Sequence, residues 1–241
     1  MMRRSEFWGH VAELRRTLLL IVLTLLGGFT ATFYFHDTLL TFLLKPLGVA
    51  HYVLLSPLDG FLTALKLSFW SATVLTAPLW LYVLSRFILP ALHRSERRAL
   101  FALLPLALTF LLGGLAFAYY VTLPLLTSFL QTFSTFGETS WALTQTVNFV
   151  LSLLIAHALC FELFALLFVL VHYDVVAYIT LKSGRRYLVV GVLIIAAIFT
   201  PPDVISQLTL AAPLLLLYEA NVFYAKLKQI RRSSLHADKL K

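Results

Sequence analysis

From Gln145 to His172 the chain runs for 28 residues with a single formal charge, that of Glu162. A helix needs about 20 consecutive apolar residues to cross the hydrocarbon core of a bilayer, so this stretch is long enough to span one. Comparable runs lie near 17–35, 61–89 and 99–123, and two shorter ones follow near 187–199 and 204–224. Of 241 residues, 60% are hydrophobic and 12% charged, which is more apolar surface than a soluble core of this size can hide. The pattern predicts an all-α, polytopic membrane protein with six transmembrane helices.

Between the last two runs stands Thr200-Pro201-Pro202-Asp203. Neither proline can donate a backbone hydrogen bond, so a helix arriving at Phe199 ends there, and Asp203 can cap the next one. The 13-residue run 187–199 reaches only about 20 Å, against a core about 30 Å thick. The last two helices are therefore expected to be short, with thinned bilayer beside them or their outer ends covered by protein.

Basic residues set the orientation, because short cytoplasmic loops retain them. Sixteen of the nineteen lysines and arginines fall on one side: Arg3, Arg4, Arg15 and Arg16; Arg94, Arg97 and Arg98; Lys182, Arg185 and Arg186; and six beyond residue 225. Both termini are thus expected in the cytoplasm. The same distribution accounts for the net charge of +8 without nucleic acid, since the cations sit at span ends rather than among exposed aromatics. The first run lacks a small-x-small cleavage site and is expected to stay as a helix. Cys160 is the lone cysteine, so no internal disulfide can form. The chain reads as one integral-membrane domain, 1–241, with a basic tail at 226–241 expected to fray. The connections near 36–60 and 124–144 are expected to form short helices on the membrane surface.

Charges within apolar runs carry the most information. Glu162 is costly in a membrane, and two readings stand: a hydrogen-bonded glutamate holding helices together, or a polar spot in a groove that a substrate or partner enters. Lys66 and Asp59 share a helical face near the outer end of span two, where snorkelling or interfacial pairing suffices. Glu219 can pair with Lys226 or face the interior. At the cytoplasmic ends, Ser5 can cap an amphipathic helix bearing Phe7, Trp8, Val11, Leu14 and Leu18 on one side, with Glu13 outside that side; Ser95 can cap span three, with Glu96 at its positive end. These two carboxylates could also receive two guanidinium groups, which match carboxylates as bidentate partners.

Several stretches together resemble the TatC family, the receptor component of the twin-arginine protein translocase. "HVAELRRTLL" resembles the family's amino-terminal His-Leu-x-Glu-Leu-Arg pattern with Val11 in place of leucine; "RFILPALHRSERR", "FAYYVTLPL", "CFEL" and "TPPDVISQ" resemble later family segments in order, over about 10–225. The resemblance implies a receptor for signal peptides with paired arginines, working with single-span TatA and TatB partners and the proton-motive force to export folded proteins, as a homo-oligomer in a bacterial cytoplasmic membrane. It assigns Glu13 and Glu96 to the arginine pair, with Arg15, Phe87, Pro90, Leu92 and Arg94 shaping that site. It places Glu162 in a concave groove and Asp203 and Gln207 at a partner contact; Pro46 and Tyr119 also match family positions. Two departures stand out: Phe164 where a kinking proline is common, and Ala91 where glycine is common.

The alternative is an ion-coupled small-molecule transporter using Glu162, although no inverted repeat with matched broken helices is visible. Neither a G-x-S-x-G turn nor an H-E-x-x-H helix is present, so no enzyme, metal or cofactor is expected.

Overall fold

The computed structural model describes residues 4–49, 51–89, 94–132, 140–199 and 204–238. Nine α-helices cover most of them: α1 (Arg4–Tyr34), α2 (His36–Leu44), α3 (Asp59–Leu75), α4 (Ala77–Ile88), α5 (Arg94–Phe117), α6 (Leu123–Thr132), α7 (Leu143–His172), α8 (Tyr178–Phe199) and α9 (Val204–Asp238). Two-residue strands, β1 (Tyr52–Val53) and β2 (Trp141–Ala142), pair in parallel, with Tyr52 opposite Trp141. Four segments are long and apolar enough to cross a membrane: Ala12–Tyr34, Leu103–Thr132, Leu143–His172 and Gln207–Arg231. A fifth arises if α3 and α4 count as one span.

The second span, expected near 61–89, corresponds to that pair and is bent by 57° between Leu75 and Ala77. The cause is Pro78 at the start of α4, which removes a helical N–H donor. The break is stitched locally: Trp80 Nε1 donates to Thr73 O at 3.0 Å, and Thr76 Oγ1 to Ala72 O at 2.8 Å. The Thr73 carbonyl at the interrupted ladder thereby has a side-chain donor inside a solvent-poor medium, while Ala72 O takes both the hydroxyl and the N–H of Thr76.

The chain divides into two compact units, Met1–Leu108 with Glu138–Leu151, and Thr109–Gly137 with Ser152–Lys241. In the first, α1 lies along α3 and α4, and α2 lies against α3. Gly28 permits the close approach, because a Cβ there would stand 2.6 Å from Thr76 Cγ2. Thr32 Oγ1 crosses from α1 to Ser68 O on α3 at 2.8 Å. Farther along α3, Thr63 meets Thr144 of α7 at 3.0 Å. Asp59 accepts from the backbone N–H groups of Leu55 and Ser56 at 2.9 and 3.0 Å. It thus fixes the loop entering α3 and is not paired with Lys66.

In the second unit α8 runs beside α9, and α6 touches α9. The third apolar stretch continues past the expected end near 123 to Thr132, passing from α5 to α6 through a π-helical turn at Ala118–Thr122. Pro124 explains the widened turn: lacking an N–H, its ring crowds the carbonyl four residues back in a regular helix. Helix α7 is continuous from Leu143 to His172, with Phe164 buried where a kink was in question. Helix α8 starts nine residues before its apolar run and totals 22 residues; its first turns carry Lys182, Arg185 and Arg186, so the shortness lies in the apolar part rather than in the helix. The tail expected to fray is helical to Asp238.

The carboxyl end of α7 shows how this unit is fastened. Asp174 has φ 62°, Val175 N–H reaches Leu170 O at 2.9 Å, and Asp174 N–H reaches Val171 O at 3.1 Å. This is a Schellman ending with aspartate in the left-handed position. Lys228 of α9 then donates to the carbonyls of Val171, at 3.2 Å, and His172, and pairs with Asp174 Oδ1 at 2.8 Å. An ammonium has three N–H donors, and all three are engaged. Lys228→Met should destabilise this unit by about 1–3 kcal/mol, since it removes the cation beside the Asp174 carboxylate and a charged donor from the carbonyls of Val171 and His172. Thermal unfolding in micelles, with faster amide exchange over 173–178, would register it.

Candidate functional site

Glu13 and Arg15 are exposed on α1, in the first turn of its apolar segment Ala12–Tyr34. Phe87 is half-buried in the last turn of α4. Arg94 and Glu96 lie in the first turn of α5, where unsatisfied N–H groups favour an acid. Residues 13, 15, 87, 94 and 96 all fall in the first unit. Helix α1 begins at Arg4 and α5 at Arg94, so Ser5 and Ser95 stand inside their helices rather than ahead of them as caps. Pro90 and Leu92 lie outside the described residues, as do the side chains of Arg94 and Glu96. Chemically, an exposed carboxylate such as that of Glu13 can receive a guanidinium group by charge-assisted, bidentate hydrogen bonds.

The second unit holds Glu162 and His157. Glu162 is half-buried on α7, and among the described residues it has no hydrogen-bond or ion-pair partner. The structure therefore gives no support to a glutamate tying helices together. Five residues earlier lies His157, fully buried, its Nδ1 2.9 Å from Leu153 O and its Nε2 3.1 Å from Thr122 Oγ1. A carbonyl only accepts, so Nδ1 carries the proton; in a neutral ring Nε2 then accepts from the Thr122 hydroxyl. Thr122 closes the π-helical turn, and Phe117 stacks on the imidazole at 6.0 Å. Sequence reasoning passed over this node. Its signal was a histidine inside an otherwise apolar run, where a polar ring requires partners.

Gln207 is half-buried in the first turn of α9, while Asp203 lies outside the described residues. Tyr119 is buried, and Pro46 is half-buried in a 3₁₀ turn at Lys45–Leu47. Glu219 pairs with Arg185 of α8 at 2.7 Å rather than with Lys226 of its own helix. Both groups are about half exposed, at 46% and 52%, so the pair contributes at most about 1 kcal/mol. Beside it Tyr218 Oη donates to Leu181 O at 2.6 Å. No cluster of three or more metal-ligating side chains forms among the described residues.

Residues 9–213 match the family described as Sec-independent protein translocase protein (TatC). The chain belongs to the TatC family. It is 33% identical over 219 residues to the Sec-independent protein translocase protein TatC of Helicobacter pylori, covering 90% of this chain and 88% of that one. The TatC protein of Aquifex aeolicus is 33% identical over 233 residues, covering 94% and 97%, and TatCy of Bacillus subtilis is 30% identical over 224 residues, covering 90% and 87%. A crystal structure of the twin-arginine translocase receptor TatC in DDM superposes with a TM-score of 0.78 at 32% identity, covering 90% of this chain and 99% of that one. The chain is thus a multi-pass membrane component of the Sec-independent translocase, and not an enzyme. As a TatC family member it has its apolar helices where the sequence reading placed spans one, three, four and six.

Proposed function

We propose that the chain is a receptor for secretory signal peptides carrying paired arginines, which it holds through Glu13 and Glu96 on the cytoplasmic face. Arg15, Phe87, Pro90, Leu92 and Arg94 shape that site. It works with TatA- and TatB-type single-span partners, contacted near Asp203 and Gln207, as a homo-oligomeric assembly that exports folded proteins using the proton-motive force. Both termini are cytoplasmic and the membrane is the bacterial inner membrane. Glu162 lines the concave groove.

The observation that carries this reading is the likeness, at 32% identity over 90% of the chain, to a protein named twin-arginine translocase receptor, together with the exposed Glu13 and the helix-start position of Glu96. Two acids, Glu13 in the third turn of α1 and Glu96 in the first turn of α5, suit two guanidinium groups. Site-specific photocrosslinking from position 96 to a twin-arginine precursor in native membranes tests it. A crosslink lost when both precursor arginines become lysine is expected. No crosslink from a folded, correctly oriented protein would defeat the receptor assignment.

A further inference from the structure

Lys66 of α3 presents its ammonium on an exposed side chain amid apolar neighbours, among them the exposed Leu62, Phe69 and Trp70. A lone charge on a membrane-facing helix is costly and marks a partner. Its one described hydrogen bond runs from Nζ to Asn148 Oδ1 on α7, 3.1 Å away. Asp59, one heptad earlier on nearly the same face, is no counter-ion, because its Oδ2 is held by the Leu55 and Ser56 N–H groups.

We propose that Lys66 and Asn148 form a binding site for the phosphate of an anionic phospholipid headgroup. The donor inventory carries this. Two ammonium N–H groups remain on Lys66; because Asn148 spends its Oδ1 on the lysine, its Nδ2 offers two more. No acceptor among the described residues meets these four. An array of donors around one positive charge fits an anion with several oxygens and excludes a cation.

Depth selects the source of that anion. Lys66 lies seven residues from the start of α3 at Asp59, about 10 Å along the axis, and Cβ bonds tilt toward the helix N-terminus. Its ammonium therefore reaches back toward the boundary at which α3 begins. Asn148 lies five residues after the start of α7 at Leu143. Just before these two starts, Tyr52 and Trp141 are strand partners, the residue types that collect at headgroup level. Phosphates occupy that layer; a carboxylate on a partner helix would have to be brought there.

The test is native mass spectrometry of the full-length chain in micelles, titrated with palmitoyl-oleoyl phosphatidylglycerol. One lipid should bind more tightly than the rest, and Lys66→Met should weaken it about tenfold, while Lys66→Arg retains it. Asn148→Asp keeps a partner for Lys66, and so the fold, yet turns the donor array into an acceptor; it too should lose the tight lipid. Unchanged affinity in folded Lys66→Met and Asn148→Asp would overturn the proposal. So would equal retention of palmitoyl-oleoyl glycerol, which has no phosphate, or displacement by inorganic phosphate at matched concentration. Photocrosslinking from position 66 in membranes should yield lipid adducts; protein adducts instead would mean that a partner helix supplies the acid.

Discussion

Changing Glu13 and Glu96 together to alanine is expected to abolish export of twin-arginine precursors while the protein still inserts and folds. Charged hydrogen bonds of this kind contribute about 1.5–3 kcal/mol each, so each single variant should lose roughly 10–100-fold in signal-peptide affinity and the double variant more than either. The fold should tolerate the changes: Glu13 is exposed, and Glu96 at the start of α5 forfeits at most about 1 kcal/mol of favourable interaction with the helix end. Affinity measured on purified protein with a signal peptide, beside the same peptide with lysines replacing its arginines, separates this site from a general loss of function. Wild-type export by a stably expressed double variant would rule the two-carboxylate site out.

The second large effect is expected from a residue with no chemistry at all. A Cβ on Gly114 would stand 2.9 Å from His157 O and 3.0 Å from Phe161 Cγ. The first of these is backbone, so α5 and α7 must separate rather than a side chain swing aside. Gly114→Val should therefore destabilise the second unit by about 1–3 kcal/mol, and more if the Thr122–His157 hydrogen bond breaks as the helices part. Gly113→Val is the control, since nothing lies within 4 Å of a Cβ there. Equal thermal unfolding of the two variants in micelles would contradict the close α5–α7 packing described above.

Much of this architecture was legible because apolar length is a strong signal in a bilayer: α1, α7 and the apolar part of α9 follow directly from runs of uncharged residues. What the runs could not show is how each one bends. Pro78 was visible, yet its consequence, a 57° break, depends on Trp80 reaching back to a freed carbonyl seven residues away, which no periodicity encodes. Pro124 likewise lay in plain view just past the end expected near 123, but the run did not show the wider turn that lets the helix continue. Pairings of charge were harder still. Glu219 has a cation one heptad along its own helix and instead meets Arg185 across a helix pair, a choice made by the packing of α8 on α9. Glu13 and Glu96 are proposed from their residue type and from family resemblance, whereas Asn148 and His157 were missed because an amide or an imidazole in an apolar run acquires meaning only from what faces it.

The fastening at the end of α7 also has a mechanical side. Lys228 ties α9 to α7, and Tyr218 ties it to α8 about three turns away. Sliding α9 by a single turn, about 5.4 Å, would uncouple both ties at once. A tug on α9 is then shared with its two neighbours instead of drawing it out like a piston, and the three helices move as one strut.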